Sequence, residues 1–403
     1  MLIEFTVGNF LSFKEKRTLS LEASSIKENL GNVFEAGKYE LLKSIVIYGA
    51  NSSGKSNFLK ALDRMRFLLM DSAQNNSASE LDIVPFLLST ETESQPSYFE
   101  ILVLIDGIRY RYGFEADNKI IRSEWLYERK VKKENLLFVR EKDSIEVTNY
   151  YQEGKGLEEK TRDNALFLSI ADQFNGSISK KIMSWFSSQR NLSGLQHEKG
   201  KSLTNRFLEN ESLNDWIKDF LSPLGLGIQG FSSKDNRIVT IHNKFDQNGN
   251  VIEKSEFDLL TQESAGTNKL YDMAGYLTYG LKLGALTVID ELDAKLHPLL
   301  TMAIVKLFNS PEHNKRNAQL VFATHDTNLL NYGCFRRDQI YFTEKNYFEA
   351  TDLYSLVEYI EPNGNKVRND RSFEKDYIAG RYGAIPFIGD FNKLISNGES
   401  IED

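Results

Sequence analysis

Eight residues, GANSSGKS from Gly49 to Ser56, carry the most specific chemical signal in the chain. They fit the pattern G-x-x-x-x-G-K-[ST], in which small residues let backbone N–H groups turn inward around phosphates and the helix that follows adds its positive end. In that spacing Gly49, Asn51, Ser52, Ser53 and Gly54 form the cradle. Lys55 reaches the β- and γ-phosphates of a nucleotide, Ser56 offers a hydroxyl to Mg²⁺, and Asn57 opens the helix. A Gly/Ser turn alone is unspecific. This one follows the apolar run IVIY and precedes Phe58, Leu59, Leu62, Met65 and Leu69 at helical spacing, which is the context the motif requires.

Three further segments carry chemistry. In LTVIDELD, Leu286 to Asp293, four residues of strand character end in adjacent carboxylates, which suits a buried parallel strand whose carboxyl end opens into a ligand crevice. Asp290 is placed to hold Mg²⁺ directly or through water, and Glu291 to orient and deprotonate an attacking water. QLVFATHDTNLL is another apolar strand, ending in Thr324-His325-Asp326, and His325 fits a hydrogen bond to a γ-phosphate or to that water. ESAGTNKL, Glu263 to Leu270, places Ser264 as the cap of a helix whose remaining N–H groups can face an anion. The other histidines, His197, His242, His297 and His313, show no metal-ligand spacing.

The elements that must position these residues are legible in outline. LIEFTVG and RTLSLEA read as antiparallel partners, and YFEILVLIDGIRYRYGFE reads as a hairpin closed at Asp106-Gly107. Residues 151–262 are less regular, with helical patches at KKIMSWFSSQ and ESLNDWIKDFL and a hairpin at Asn248-Gly249, and they read as an insertion or lid, mainly helical. Strands alternate with helices again over 263–403. The expectation is therefore one α/β unit over 1–403: a mixed sheet core with an antiparallel β lobe in residues 1–150, the insertion, and a C-terminal half that returns to the same sheet.

Composition narrows the function classes. With 41% hydrophobic and 26% charged residues the chain has the make-up of a globular protein. Its 57 acidic and 49 basic residues give a net charge of -8, so it is not built as a polyanion-binding surface overall. The single cysteine, Cys334, excludes an internal disulfide framework and a thiolate metal cluster. MLIEFTVGNF lacks a basic-then-apolar leader and no apolar run approaches the ~20 residues that span a bilayer, so a cytoplasmic protein without membrane contact is expected.

In their order, the P-loop, long insertion, ESAGT, VIDELD and ATHD resemble the ABC-type ATPase heads of the SMC and RecF kind over nearly the whole chain. NFLSF looks like the first strand of those heads, and DYIAGRYGAIP near the C-terminus resembles compact bacterial heads of the RloA and abortive-infection AbiLi type found in phage-defence loci. The resemblance implies ATP and Mg²⁺ as cofactors, Asp290 as the metal-side carboxylate, Glu291 as the catalytic one, His325 as the switch histidine and Asp293 as the D-loop aspartate. It also implies that Ser264 and Gly266 are signature positions touching the γ-phosphate held by an opposite subunit. Departures are Glu263, Ala265 and Thr267 at signature positions usually Leu, Gly and Gln, and Leu11 where the start is often basic. No glutamine is assigned to the Q-loop.

A homodimer or higher homo-oligomer with composite ATP sites is therefore expected. Residues 326–403 hold no paired-carboxylate or nucleophile constellation, so a nucleolytic or toxic output is expected on a separate effector protein. The alternatives are a DNA-transaction ATPase that binds DNA directly and a nucleotide-gated scaffold with negligible turnover. The basic stretch RKVKKENLLFVREK, Arg129 to Lys142, reads first as a solvated hairpin face and second as a nucleic-acid contact. The C-terminal Tyr377, Arg381 and Tyr382 suit either packing on the head or docking a partner.

Overall fold

The computed structural model describes residues 1–142, 144–193, 197–234, 237–361 and 364–386. Its centre is a six-stranded sheet to which both halves of the chain contribute. The strands are β1 (Ser44–Gly49), β2 (Arg190–Ser193), β3 (Leu286–Asp290), β4 (Gln319–Ala323), β5 (Ile340–Lys345) and β6 (Thr351–Ser355), and they lie in the order β2-β3-β4-β1-β5-β6. The first five are parallel and β6 is antiparallel to β5. Parallel neighbours need crossovers, and here these include the helices α1 (Lys55–Asp71), α2 (Ala265–Leu283) and α3 (Pro298–Asn309). All five carboxyl ends therefore emerge at one edge, where such sheets bind ligands.

The strand that feeds the phosphate loop is buried on both faces. Every residue of β1 is buried, and because side chains alternate along a strand, Ile45 and Ile47 enter one core while Val46 and Tyr48 enter another. The first core joins β1 to Phe58, Leu62, Met65 and Leu69 of α1 and to a seven-stranded antiparallel sheet built from residues 2–147. Leu2–Gly8 and Arg17–Ser20 pair in that sheet as expected. Ser97–Ile105 and Ile108–Ala116 form its central hairpin, with Asp106 and Gly107 at φ of 51° and 76°, the positive values a tight primed turn demands. The second core joins β1 to Leu270, Met273 and Leu277 of α2 and to Ile304, Val305 and Phe308 of α3. The expected α/β class, with a mixed core sheet and an antiparallel β lobe, is the one the chain adopts.

The segment 151–262 divides in two. Residues up to Ser193 belong to the main body: Phe167, Ile182 and Phe186 are buried in the first core, and β2 adds an edge strand to the central sheet. From His197 onward, two helices, His197–Glu209 and Glu211–Leu221, pack against α2, and a three-stranded antiparallel sheet (Ile228–Lys234, Arg237–Phe245, Val251–Asp258) follows, with Asn248-Gly249 in its second turn. Among the described residues none of this later part lines the cavity at the phosphate loop. None of the described helices is long and apolar enough to cross a membrane.

The C-terminal segment packs on the head. Tyr377 and Tyr382 are buried against Phe342 of β5, with ring centroids 5.3 and 5.8 Å away, and the Tyr382 hydroxyl donates to Asp376 Oδ2 at 3.0 Å. Tyr382→Ala is expected to destabilise the protein by ~3–5 kcal/mol, the usual cost of deleting a buried aromatic ring. Denaturant unfolding measures this; an unchanged midpoint would place residues 373–386 outside the cooperative unit.

Candidate functional site

The phosphate loop is held from behind by the β5–β6 hairpin. Gly49 lies level with Thr343, and a Cβ on it would collide with the Thr343 carbonyl and hydroxyl oxygens. Gly54, at φ 114°, caps α1 where a Cβ would overlap the Thr351 side chain. These contacts explain why both positions are glycine. Ser53 Oγ lies 2.6 Å from Thr343 Oγ1, and the Thr351 hydroxyl donates to Ser53 O at 2.9 Å. Ser52 takes φ 64°, so the loop curls, and Asn57 Nδ2 donates to Ser12 Oγ at 2.8 Å, tying α1 to the NFLSF turn.

Asn51, Ser52, Ser53, Gly54, Lys55, Ser56 and Asn57 line one cavity together with Glu291, His325 and Lys345. The Lys55 ammonium donates to Gly49 O at 2.7 Å and Ala50 O at 3.0 Å. Burial lowers its pKa to about 8, against the opposing pull of Asp290, Glu291 and Asp293. Three strand ends thus converge on one space: β1 brings the loop, β3 brings Glu291, β4 brings His325. The last two are stitched together by Asp293, whose Oδ1 accepts from the Thr324 hydroxyl at 2.7 Å and from His325 N–H at 3.3 Å. Desolvation, then the Lys55 charge, depress the His325 pKa, which keeps the imidazole neutral at pH 7 and able to share a hydrogen bond with a phosphate oxygen or water.

Asp290 sits next door. It lines a second cavity with Ser56, Asp63, Asn191 and Ser193, and Ser56 borders both spaces. Its Oδ1 is buried without a hydrogen-bond partner. A buried carboxylate oxygen of this kind, across from a serine hydroxyl, fits the oxygen-only, incomplete donor set through which Mg²⁺ is held beside phosphates. Among the described residues there is no cluster of three or more His, Cys, Asp or Glu suited to hold a metal unaided.

Ser264 and Gly266 are not brought into either space. Ser264 caps α2 as expected, its Oγ accepting from Thr267 N–H at 3.0 Å, and it is exposed. Gly266 lies against the loop after β3, where a Cβ would stand 3.1 Å from Lys295 O. Glu263 Oε1, just before the cap, accepts from the Thr240 hydroxyl and lies 2.7 Å from His242 Nε2, linking the inserted sheet to this turn.

Several site residues escaped the sequence reading. Asn191, whose Nδ2 donates to Asp63 Oδ1 at 2.7 Å, and Ser193, paired in register with Asp290, lie on a four-residue strand with one buried apolar side chain, too short for a periodic signal. Lys345 ends β5 and has no motif. Lys269 is buried one turn into α2 and donates to Glu291 O at 2.9 Å. The basic stretch 129–142 is a hairpin: Arg140 is buried and donates to Ala165 O, Lys130 pairs with Glu128, and Glu134 takes Arg109 and Arg111.

Residues 44–331, well over half of the chain, match the family described as "AAA domain, putative AbiEii toxin, Type IV TA system". The chain belongs to this AAA family. No curated protein matches it significantly. Among solved structures, the AAA chain is similar to an Smc head bound to the C-terminal winged-helix domain of ScpA (13% identity, TM-score 0.42, covering 88% of this chain and 97% of that one). It is also similar to the Smc head domain with a coiled coil and joint derived from Pyrococcus yayanosii (10%, 0.43, 88% and 96%). A third is CbiO1 from Clostridium perfringens, part of an ABC transporter complex (9%, 0.33, 85% and 86%).

The lowered Lys55 value has a measurable consequence for nucleotide binding by this AAA site. The charged lysine is the form that holds phosphates, so affinity for ATP should be level at pH 7 and fall above about 8, by up to tenfold per pH unit. Titrations with a fluorescent ATP analogue from pH 6.5 to 9.5 measure the slope. Lys55→Arg, charged throughout, should flatten it; a fall of equal slope in that variant would assign the proton elsewhere.

Proposed function

We propose that the protein binds ATP with Mg²⁺ and hydrolyses it in composite sites formed between two copies of the chain, as an ABC-type head. The observation that carries this reading is the division of the site. The loop, Asp290, Glu291 and His325 meet in one chain, while the exposed Ser264 and the half-buried Gly266 stand outside both of its cavities. In a dimer each ESAGT turn would complete the partner's site.

The roles follow from position. Backbone N–H groups of the loop and Lys55 bind and neutralise the phosphates. Ser56 and Asp290 would hold Mg²⁺, which when bound polarises the phosphoryl oxygens. Glu291 orients a water for in-line attack and takes its proton, and neutral His325 hydrogen-bonds the γ-phosphate edge. Asp293 acts within its own chain, where it holds the turn that carries His325. Ser264, as a helix cap with free N–H groups beside it, would offer the partner's γ-phosphate an anion site.

For the biological setting we favour a cytoplasmic regulatory ATPase of an abortive-infection defence system acting on a separate effector. Two things support it: the RloA/AbiLi-like C-terminal segment and the family's own description in terms of an AbiEii toxin. Direct DNA clamping has less support: within the basic stretch Arg140 is buried and donates to Ala165 O, and Lys130 pairs with Glu128.

Glu291→Gln is expected to retain ATP binding and lose turnover by ~10²- to 10⁴-fold, the range for removal of a general base. Ser264→Arg should bind ATP normally yet neither dimerise with ATP nor hydrolyse it. Phosphate release and light scattering read both; a Ser264→Arg protein that failed to bind ATP would place the signature contact within one chain and sink the dimer.

A further inference from the structure

Lys269 occupies an uncommon position. It lies on α2 one turn after the Ser264–Gly266 turn, it is 2% exposed, and its ammonium reaches 22 residues along the chain to donate to the main-chain carbonyl of Glu291 at 2.9 Å. That is the one hydrogen bond it makes among the described residues. The carbonyl it holds belongs to a residue in the left-handed conformation, φ 53°, which a side chain larger than glycine adopts only where its surroundings impose it. Alongside, Gly266 lies against Lys295 O, so the first turn of α2 and the loop after β3 touch at two points. Burying an ammonium is unfavourable, and an apolar side chain of equal volume would serve packing as well or better. Burial pulls the Lys269 pKa down to about 8, with Asp293 and Glu291 opposing.

We propose that Lys269 is a positioning residue that ties the signature turn of each subunit to that subunit's own Glu291, and so links the two ATP sites of the dimer. The inference rests on the composite-site reading above. In that arrangement the Ser264–Gly266 turn serves the partner's nucleotide, whereas Glu291 serves the nucleotide on its own P-loop. A displacement of the turn when it docks is passed through the Lys269 ammonium to the Glu291 main chain. The loop turns at that residue, so a small shift of its carbonyl swings the carboxylate relative to the water site. Engagement of one site thereby sets the base of the other.

The link makes a prediction that a packing role does not. Lys269→Met should leave the KM for ATP and the thermal midpoint near those of the unchanged protein and lower kcat roughly 10- to 100-fold, the effect of a misplaced base. Mixed dimers then test the link. With Lys269→Met on one chain and an unchanged partner, only that chain's own site carries a misplaced base and about half of the turnover should survive. With Ser264→Arg on one chain and an unchanged partner, the partner's site lacks its signature turn and the undocked turn leaves the variant chain's own Glu291 unset, so turnover should fall well below half. Half of the turnover surviving in the second dimer would show no link, and loss of nearly all turnover in the first would show that Lys269 does not act on its own chain's site alone; either result overturns the proposal. The Ser264→Arg protein without a partner of another kind reports separately on the composite site, since its full activity would remove that reading whatever Lys269 does.

Discussion

A phosphate loop must keep its N–H groups open to a ligand without collapsing onto its own strand, and here two threonines prevent the collapse. Thr343 and Thr351, close to 300 residues after the loop, meet Ser53 from behind and fill the spaces beside Gly49 and Gly54. The absence of a Cβ at these glycines lets the β5–β6 hairpin approach. Everything at the site follows from that closeness: β5 is fixed in register with β1, β4 and β3 are stacked on the other side, and Glu291 and His325 arrive at the same edge. Charge then sets the chemistry. Lys55, the carboxylates after β3 and a neutral His325 are held in a space small enough that the charges on the lysine and carboxylates bear on the protonation of Lys55 and His325.

The parts of this arrangement that could be read in the sequence were those with a local period or a stereotyped turn. The loop, its strand and helix, the carboxylate strand, the histidine strand and the Asp106-Gly107 hairpin each announce themselves within a short stretch of chain. The parts that could not be read depend on long-range contact. β2 is four residues long and is a strand only because β3 offers it an edge. Residues 151–193 look irregular because their apolar side chains are divided among two short 3₁₀ turns, two helices and a strand, yet they fill the first core. Lys269 reads as an ordinary helix lysine until the loop after β3 is folded against it.

The inserted elements lie against α2, away from the phosphate loop. The helices His197–Glu209 and Glu211–Leu221 cover α2, and the small sheet meets Glu263 through Thr240 and His242. α2 is thus in contact with the insertion on one side, with the loop after β3 on another, and with solvent at its exposed cap. Among the described residues these inserted elements do not line the cavity at the phosphate loop, so α2 is the element that stands between them and that cavity.

The order of the central strands has a consequence for how the chain is made. β1 is a wholly buried apolar strand, but the neighbours that pair with both of its edges, β4 and β5, begin at Gln319 and Ile340. At a synthesis rate of roughly 5–20 residues per second, the strand exists for on the order of 15–55 seconds with no partner on either side. An apolar strand with two open edges is a template for pairing with other chains. The nascent protein therefore passes through a long interval in which the strand that feeds its phosphate loop is open to pairing with other chains, and the antiparallel lobe of residues 2–147, synthesised much earlier than β4 and β5, is the part of the fold available to shelter it.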